Sequence, residues 1–366
     1  MTHPDTGVPS IDDLLTRALD VGASDVHLRA GRPPVLRVDG DLQVTALRTL
    51  DAGDLDRYLD ALMPEYVRLA FKESGEADFA YGPPGGGRFR VNAYRQRGAV
   101  AIALRAVAPP DRTIEELGLP AVLRRLAAEP RGLVLVTGPT GSGKTTTLGA
   151  VIDEINRTRR VNIITIEDPI EILHIDRESI ISQREVGVDT GGFAEAMRRV
   201  LRQDPDVILI GEMRDMDTID AALKAAETGH LVLSSLHTLD ATETINRILD
   251  FFPSELQRQV RLLLAGSLRG IVSQRLVSRA DGAGRVPIVE VLVNTERVAE
   301  RIADPDLTME IPEVIEQGSY YGMETFDQAL LRLLADGVIT VQEAFRTATR
   351  PADLRVRAQQ SGILPT

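Results

Sequence analysis

The residues of this chain best suited to chemistry form a glycine-rich stretch, Gly138–Thr145, with the pattern G-x-x-x-x-G-K-T. The apolar segment Leu133–Val136 precedes it, and the residues from Thr146 to Ile155 are compatible with a helix. A strand, a glycine-rich turn and a helix in this order are the context in which this pattern binds phosphates. The glycines let backbone N–H groups approach the β- and γ-phosphates, and the helix N-terminus adds the positive end of its dipole. This context argues against a chance match, so we expect the chain to bind a nucleoside triphosphate.

Individual residues of this stretch have distinct expected roles. Lys144 is expected to reach the phosphates, and the hydroxyl of Thr145 is expected to bind Mg²⁺. The residues expected to contact the nucleotide are Gly138, Pro139, Thr140, Gly141, Ser142, Gly143, Lys144, Thr145 and Thr146. The pattern therefore predicts ATP and Mg²⁺ as ligands.

A second apolar segment, Val207–Ile210, is followed by the acidic residue Glu212. A carboxylate at the end of a strand beside the phosphate-binding loop can hold Mg²⁺ through water or polarise the attacking water. An acid after an apolar strand is weak evidence alone, but this one follows the glycine-rich stretch with further predicted strands between. We therefore predict Glu212 as the metal-associated acid. Asp206 lies at the other end of the strand, too far from the nucleotide.

A third apolar segment, Ile163–Ile166, is followed by three carboxylates, Glu167, Asp168 and Glu171. In open α/β sheets, ligands bind at the carboxyl ends of the strands. Three neighbouring acids repel one another unless a cation or a proton lies among them. Two interpretations remain open. The segment supplies a general base or water-positioning acid with support for Mg²⁺, or it is a solvated acidic turn interrupted by Pro169.

Two histidines, His230 and His237, lie at the two ends of a further apolar segment, Leu231–Ser235. A histidine at a strand end is as often structural as functional. His237 follows the carboxyl end of the segment, on the side of the expected nucleotide, where it could sense the γ-phosphate. His230 lies at the other end, where a subunit or domain contact is the simpler expectation.

The N-terminal part of the chain carries a cluster of arginines on a predicted strand pair. These are Arg88, Arg90, Arg95, Arg97 and Arg105. One interpretation is that these arginines lie on a solvated face of the sheet, where arginines at alternating positions are common. The other is that they complete a neighbouring nucleotide site as arginine fingers, which stabilise the charge that develops in phosphoryl transfer.

The composition of the 366-residue chain argues against several classes of function. There is no cysteine, so neither a disulfide nor a cysteine-based zinc site can form. The net charge of −12 argues against nonspecific binding along nucleic acid, which needs a basic face. The apolar runs fall short of the roughly 18–20 residues of a membrane span, and the N-terminus lacks a signal-peptide pattern. We therefore expect a cytoplasmic protein that binds neither zinc nor nucleic acid.

The periodicity of the chain predicts two domains joined by a linker. Residues 1–108 indicate a small α+β domain that includes a helix over Leu50–Phe71. Residues 109–112 are the predicted linker, since prolines break both periodicities there. Residues 113–366 alternate strands and helices as a parallel α/β sheet requires, with a helical tail from about residue 294. The predicted strands are Leu133–Val136, Asn162–Ile166, Val207–Ile210 and Leu231–Ser235, with two more near Ile271–Leu276 and Val286–Val293.

In their order and spacing, these motifs resemble the secretion ATPase superfamily, the hexameric motors of type II secretion and type IV pili. The matching segments are 22–27, 88–92, 114–118, 166–171, 211–215, 226–230 and 236–238. Within the superfamily, the chain is most similar to the type IV pilus retraction ATPases, the PilT class. Its N-terminal region is short, and without cysteine it lacks the zinc-binding insert of the assembly motors.

The resemblance implies a RecA-like P-loop domain, a smaller PAS-like N-terminal α+β domain and a C-terminal helical bundle. It implies Glu171 as the general base, Glu212 as the Walker B acid and His237 as the γ-phosphate sensor. Arg88 and Arg90 would act across domains. The resemblance further implies a homohexamer at the inner face of the cytoplasmic membrane, recruited by a pilus platform protein, with other pilus ATPases as further partners. ATP hydrolysis would drive pilus retraction and twitching motility.

One segment departs from the retraction ATPases. They carry Ala-Ile-Arg-Asn-Leu-Ile after the last strand, where this chain has Arg-Val-Ala-Glu-Arg-Ile at residues 297–302. The expected function is a hexameric motor ATPase for pilus retraction. One alternative is a nucleotide-binding regulatory or accessory ring subunit. The other is a nucleic-acid translocase, which the net negative charge of the chain disfavours.

Overall fold

The computed structural model describes residues 8–38, 40–107 and 112–365. The chain divides into two compact units, Met1–Pro109 and Pro110–Thr366. Most of the predicted linker, 109–112, lies outside the described residues. Each unit has its own sheet and its own buried apolar cluster.

The first unit combines helices with an antiparallel sheet. Its helices are α1 (Ile11–Asp20), α2 (Ala52–Leu62) and α3 (Glu65–Ser74), and its strands are β1 (Asp25–Arg29), β2 (Val35–Val38), β3 (Asp41–Val44), β4 (Glu76–Tyr81), β5 (Arg88–Gln96) and β6 (Ala99–Val107). The described strands lie in the order β3-β2-β1-β6-β5-β4, and every neighbouring pair is antiparallel. Leu15 of α1 and Leu55 of α2 are fully buried together with Val26 of β1 and Phe89 of β5. The helices therefore cover one face of the sheet.

The helix predicted over Leu50–Phe71 is two helices in the structure, so that prediction was wrong. α2 ends at Leu62 and α3 begins at Glu65. Pro64 lies between them, and a proline has no N–H group to donate within a helix. Its ring also disfavours the helical conformation of the preceding residue.

The second unit alternates strands and helices after a short first helix, α4 (Val122–Ala127). In chain order the elements are β7 (Gly132–Thr137), α5 (Lys144–Thr158), β8 (Asn162–Glu167), β9 (Ile180–Glu185), α6 (Phe193–Val200), β10 (Val207–Ile210), α7 (Met216–Glu227), β11 (Leu231–Leu236), α8 (Ala241–Asp250), α9 (Ser254–Ser267), β12 (Leu268–Ser278) and β13 (Arg285–Val293). The described strands form one sheet in the order β13-β12-β7-β11-β10-β8-β9. Its pairs are parallel except β12 with β13.

Both faces of this sheet are covered, so its central strands are apolar throughout. On β7, Leu133 and Leu135 belong to the core under α6, α7 and α8, whereas Val134 and Val136 belong to the core under α4 and α5. All six residues of β7 are buried. The continuous apolar runs of the sequence therefore indicate strands that are buried on both faces.

The edge strand β9 was not predicted from the sequence. Its residues Ile180–Glu185 are mostly polar, and they carry neither a continuous apolar run nor a clear alternation. The strand forms because its backbone pairs in parallel with β8 along its whole length. An edge strand needs little apolar character, since its pairing comes from the neighbouring backbone.

The C-terminal tail is helical. It contains α10 (Glu296–Ala303), α11 (Ile311–Gln317), α12 (Phe326–Ala335), α13 (Val341–Thr347) and α14 (Pro351–Gln360), with short 3₁₀ turns at Thr308–Glu310 and Ser319–Tyr321. α12, α13 and α14 share an apolar cluster with the β12–β13 hairpin. Across the described ranges of both units, no helix is long and apolar enough to cross a membrane.

A buried carboxyl connects this hairpin to the start of α8. Glu290 of β13 is only 9% exposed, and its Oε1 accepts a hydrogen bond from the backbone N–H of Ala241 at 3.0 Å. Burial raises the pKa of Glu290 to about 7, although the hydrogen bond from Ala241 acts in the opposite direction. In the unfolded chain this carboxyl titrates near its ordinary value of 4.5. Between pH 4.5 and 7 the folded state therefore retains a proton that the unfolded state has released, and the stability of the fold decreases as the pH rises through this window.

We expect Glu290→Gln to make the protein more resistant to urea than the wild type at pH 8, by up to about 3 kcal/mol, with the difference disappearing near pH 4.5. The amide keeps the acceptor oxygen for Ala241 and never ionises. The measurement is urea unfolding of both proteins at several pH values. Glu255→Gln, at an exposed position on α9, is the control and should not show this pH-dependent difference. A constant difference between wild type and Glu290→Gln from pH 4.5 to 8 would contradict the assignment.

Candidate nucleotide-binding site

Four strands of the second unit end at one edge of its sheet. β7, β11, β10 and β8 are consecutive neighbours and run parallel. Their carboxyl ends therefore lie side by side, which is where open α/β sheets bind ligands. One cleft at this edge is lined by Lys144, Glu212, His237 and Glu171, from the segments that follow the four strands. Lys144 and His237, which are 93 positions apart in the chain, are brought together there.

The glycine-rich loop connects β7 to α5, and α5 begins at Lys144. Gly138 and Gly143 have φ angles of 144° and 91°, which glycine adopts without the strain that a side chain would add. The loop residues that line the cleft are Thr140, Gly141, Gly143, Lys144, Thr145 and Thr146. Pro139 and Ser142 line a neighbouring depression instead, and Gly138 lines neither. The nucleotide contacts of these residues stay predictions.

Lys144 is the basic residue at the centre of the cleft. Its Nζ donates hydrogen bonds to the carbonyl oxygens of Gly138 at 2.8 Å and Pro139 at 3.1 Å. Burial lowers the pKa of Lys144, while the charges of Glu212 and Glu171 raise it. The ammonium group is thus partly removed from water and faces acids across the cleft. A cation in such a position interacts strongly with an anionic ligand because few waters screen it.

Glu212 is held by a cation and an imidazole. Arg214 Nη2 lies 2.8 Å from Glu212 Oε2, and His237 Nε2 lies 3.1 Å from Glu212 Oε1. This pairing raises the pKa of Arg214, chiefly through its hydrogen bond to Glu212. Arg214 also lies 4.0 Å from Asp168 Oδ2. The carboxylate of Glu212 is therefore fixed in position at the strand end.

His237 connects Glu212 to Lys144. Its Nδ1 lies 3.4 Å from Lys144 Nζ, on the opposite side of the ring from the Glu212 contact. An ammonium group can only donate and a carboxylate can only accept. A neutral ring with its proton on Nε2 satisfies both neighbours, because Nε2 donates to Glu212 while Nδ1 accepts from Lys144. His237 is thus placed to respond to any change at either residue.

The three acids at and just after the carboxyl end of β8 divide into two environments. Glu167 is 8% exposed, and its Oε1 accepts hydrogen bonds from Thr165 at 2.6 Å and Gln183 at 3.0 Å. Burial raises the pKa of Glu167, and these hydrogen bonds oppose the rise. Asp168 and Glu171 are more exposed and also line the cleft. Glu167 therefore supports the strand end, and the other two face the solvent side of the cleft.

Several residues that line the cleft were not singled out in the sequence. Arg214 follows Glu212 by two positions, and an arginine so close to the acid is a signal that could have identified it. His174 lies on the connection from β8 to β9, and burial lowers its pKa to about 4, so it lines the cleft as a neutral ring. Leu276 and Arg285 come from the β12–β13 hairpin. No local pattern connects these two residues to the glycine-rich loop.

Other residues that the sequence singled out, among them His230, Arg88 and Arg90, are not among those that line this cleft. His230 precedes β11 at the opposite edge of the sheet, and its Nδ1 lies 3.0 Å from the carbonyl oxygen of Ala225 at the end of α7. Arg88 and Arg90 belong to β5 of the first unit. Arg90 faces Ala80 on one neighbouring strand and Arg105 on the other in register. The action of these arginines across domains stays a prediction.

The donor atoms of the cleft fit Mg²⁺. Proteins usually bind Mg²⁺ through a few of their own oxygens together with substrate phosphates and water, rather than by a complete cage of protein ligands. The hydroxyl-bearing Thr145 and the carboxylate-bearing Glu212 line the same cleft. Among the residues that the structure describes, no cluster of three or more histidine, cysteine or acidic side chains is arranged as a metal cage. This arrangement suits an ion that is bound together with a phosphate ligand.

Comparison with known proteins places the chain in a family. The family described as "Type II/IV secretion system protein" matches residues 88–346. The "Type IV pilus retractation ATPase PilT" of Pseudomonas aeruginosa is 44% identical over 341 residues, which cover 93% of this chain and 98% of that protein. The "Type IV pilus ATPase PilU" of the same organism is 41% identical over 94% of this chain and 90% of that protein.

A solved structure is similar over almost the entire chain. The crystal structure of the pilus retraction motor PilT with bound ADP has a TM-score of 0.84 and 42% identity. The similarity covers 95% of this chain and 100% of that one. The predicted α/β fold class and the resemblance to the secretion ATPases are both confirmed. The chain is a member of the type II/IV secretion system protein family.

Proposed function

We propose that this chain is a motor ATPase of a type IV pilus machine that couples ATP hydrolysis to pilus retraction and twitching motility. The observation that carries the proposal is the convergence of Lys144, Glu212 and His237 on one cleft beside the glycine-rich loop. The similarity to a retraction ATPase over nearly the whole of both chains supports the same function.

Each of these cleft residues has a distinct role in the proposed phosphoryl transfer. Lys144 and the backbone N–H groups of the loop bind and orient the phosphates. Glu171, at the exposed side of the cleft, orients the attacking water and accepts its proton. Thr145 and Glu212 would hold Mg²⁺, which when bound would neutralise phosphate charge. His237, between Glu212 and Lys144, transmits the state of the γ-phosphate to its strand end.

The first unit supplies the residues that turn hydrolysis into motion. We propose that residues 1–108 form a PAS-like domain and that residues 113–366 form the RecA-like ATPase domain. Arg88 and Arg90 on β5 act across domains on the nucleotide, as arginine fingers do in other phosphoryl-transfer enzymes. A site completed by another domain changes shape when the phosphate leaves, which is how a chemical step moves a ring of subunits.

The proposed assembly is a homohexamer in the cytoplasm, peripheral to the inner face of the cytoplasmic membrane. The proposed recruiting partner is a membrane-embedded platform protein of the pilus machine, as the resemblance to the retraction ATPases implies. Other pilus ATPases are further proposed partners. Zinc and nucleic acid have no role in this proposal, since the chain has no cysteine and a net charge of −12.

A second candidate function is that of an accessory ring subunit that binds nucleotide and regulates a partner motor. The α10 sequence favours it. Where the retraction ATPases resembled by this chain carry Arg-Asn-Leu, this chain has Ala299, Glu300 and Arg301. Arg301 is mostly buried and pairs with Glu300 and Glu310. Its side chain therefore makes contacts within the chain. The two candidates share the nucleotide site and differ in whether the chain generates force.

We expect Lys144→Ala to lower ATP turnover of the purified protein about 100-fold or more, because it removes the cation that faces the phosphates. The measurement is phosphate release with MgATP. Lys224→Ala, at an exposed lysine that pairs with Asp220 on α7, is the matched control and should retain wild-type turnover. Wild-type turnover by Lys144→Ala would rule out the site assignment.

We expect Glu171→Gln to lower kcat about 100-fold while ADP affinity stays near that of the wild type. The amide can orient water but cannot accept a proton. Turnover and ADP affinity are measured on the same preparation, with Glu178→Gln, a surface acid paired with Arg160, as control. A loss of ADP affinity equal to the loss of kcat would assign Glu171 to binding instead.

In a host that lacks its retraction ATPase, we expect this chain to restore twitching motility and Lys144→Ala to fail. The measurement is colony expansion beneath agar, with matched expression of both proteins. An accessory subunit would not restore movement alone, but would do so together with an active partner motor. Restoration by Lys144→Ala in the absence of a partner motor would contradict a function as the motor.

A further inference from the structure

A buried glutamine on β12 contacts the glycine-rich loop from the side. β12 is the parallel neighbour of β7, and Gln274 is the residue that follows the last pair between them, Ser273 with Thr137. Its side chain is 3% exposed. Gln274 Nε2 lies 2.7 Å from the carbonyl oxygen of Ser142, and Gln274 Oε1 lies 2.7 Å from the hydroxyl of Thr147. Both polar groups of the amide are thus satisfied by the loop and its helix.

The orientation of this amide follows from its partners. A backbone carbonyl can only accept, so the nitrogen of the Gln274 amide must face Ser142. The oxygen then faces Thr147, whose hydroxyl donates to it. The two contacts lie immediately before and after the four residues from Gly143 to Thr146, which include Lys144 and Thr145. Gln274 therefore fixes both ends of the segment expected to bind phosphate and Mg²⁺.

Two glycines of the loop, Gly138 and Gly143, lie close to Gln274. A Cβ atom added to Gly143 would lie 2.8 Å from Gln274 Nε2. A Cβ atom added to Gly138 would lie 2.3 Å from the carbonyl oxygen of Gln274. Both distances are shorter than van der Waals contact, and both glycines have a positive φ. The two positions thus need glycine for the approach of Gln274 as well as for the loop conformation itself.

We propose that Gln274 is a positioning residue of the nucleotide site, which holds the phosphate-binding loop in the conformation that binds nucleotide. The inference rests on the proposed ATPase function and adds to it a residue that no motif of the sequence indicates. Gln274 acts through Ser142 and Thr147 and does not touch the phosphates. Because β12 continues through the hairpin to β13 and the C-terminal helices, it also connects loop conformation to that part of the unit.

Gln274→Glu tests the proposal through its pH dependence. A protonated carboxyl reproduces both contacts, since its O–H donates to Ser142 and its carbonyl oxygen accepts from Thr147. An ionised carboxylate cannot donate, and it places a negative charge beside the carbonyl oxygen of Ser142. Burial favours the protonated form of a carboxyl at this position. We therefore expect the affinity of this variant for MgADP to be close to wild type at pH 6 and roughly tenfold weaker at pH 8.

The measurement is calorimetric titration of the full chain with MgADP at pH 6, 7 and 8, with each value divided by that of the wild type at the same pH. Thr147→Val, which removes the donor to Gln274 Oε1 and keeps the side-chain shape, should weaken MgADP binding at every pH. Ser273→Ala is the matched control. It removes an equally buried hydrogen bond of the same strand, at 2.9 Å from Thr137, and should leave MgADP affinity unchanged.

The outcomes separate this inference from the proposed function. If Gln274→Glu binds MgADP as the wild type does at pH 8, or if its ratio to the wild type does not change with pH, the positioning role is wrong. Equal losses in Gln274→Glu and Ser273→Ala would show a general effect of the core and would also overturn it. The wild type is assayed for MgATP turnover in parallel, because its failure to hydrolyse would instead contradict the proposed ATPase.

Discussion

The site depends on one geometric constraint, the parallel alignment of β7, β11, β10 and β8 as consecutive neighbours. Parallel strands place all their carboxyl ends at one edge, so the segments that follow them must meet there. That edge collects a lysine, an acid, an imidazole and further acids from four distant parts of the chain. The buried apolar strands, which are covered on both faces, hold this edge in place. The chemistry of the cleft is therefore a consequence of strand order.

Within the cleft, a chain of polar contacts joins the loop to the other strand ends. Lys144, His237, Glu212 and Arg214 follow one another at hydrogen-bond or near-hydrogen-bond distances. A partly buried network of this kind transmits a change at one member to the next, because each donor and acceptor is assigned to a neighbour. A phosphate group that binds Lys144 would change the partners of His237 and hence of Glu212. We therefore propose that the network that fixes these side chains also responds to the nucleotide state.

Much of this organisation was readable in the sequence, and the failures have physical causes. The apolar runs identified β7, β8, β10 and β11, because a strand buried on both faces must be apolar throughout. The helix over Leu50–Phe71 was read from periodicity alone, although Pro64 interrupts it. β9 was missed since a polar edge strand is specified by the backbone of β8 rather than by its own side chains. His174 in the cleft wall has no local pattern that marks it.

The sequence by itself determined the phosphate-binding loop, since its glycines, its lysine and its flanking strand and helix are contiguous. Local conformational rules act over a few residues, and the φ angles of Gly138 and Gly143 follow them. Other residues around the loop, such as Gln274, Leu276 and Arg285, were decided by tertiary structure alone. Gln274 lies 132 positions from Ser142, and its amide is matched to the loop only after β12 has paired with β7. Such a contact depends on the packing of whole strands, and no local pattern in the chain encodes it.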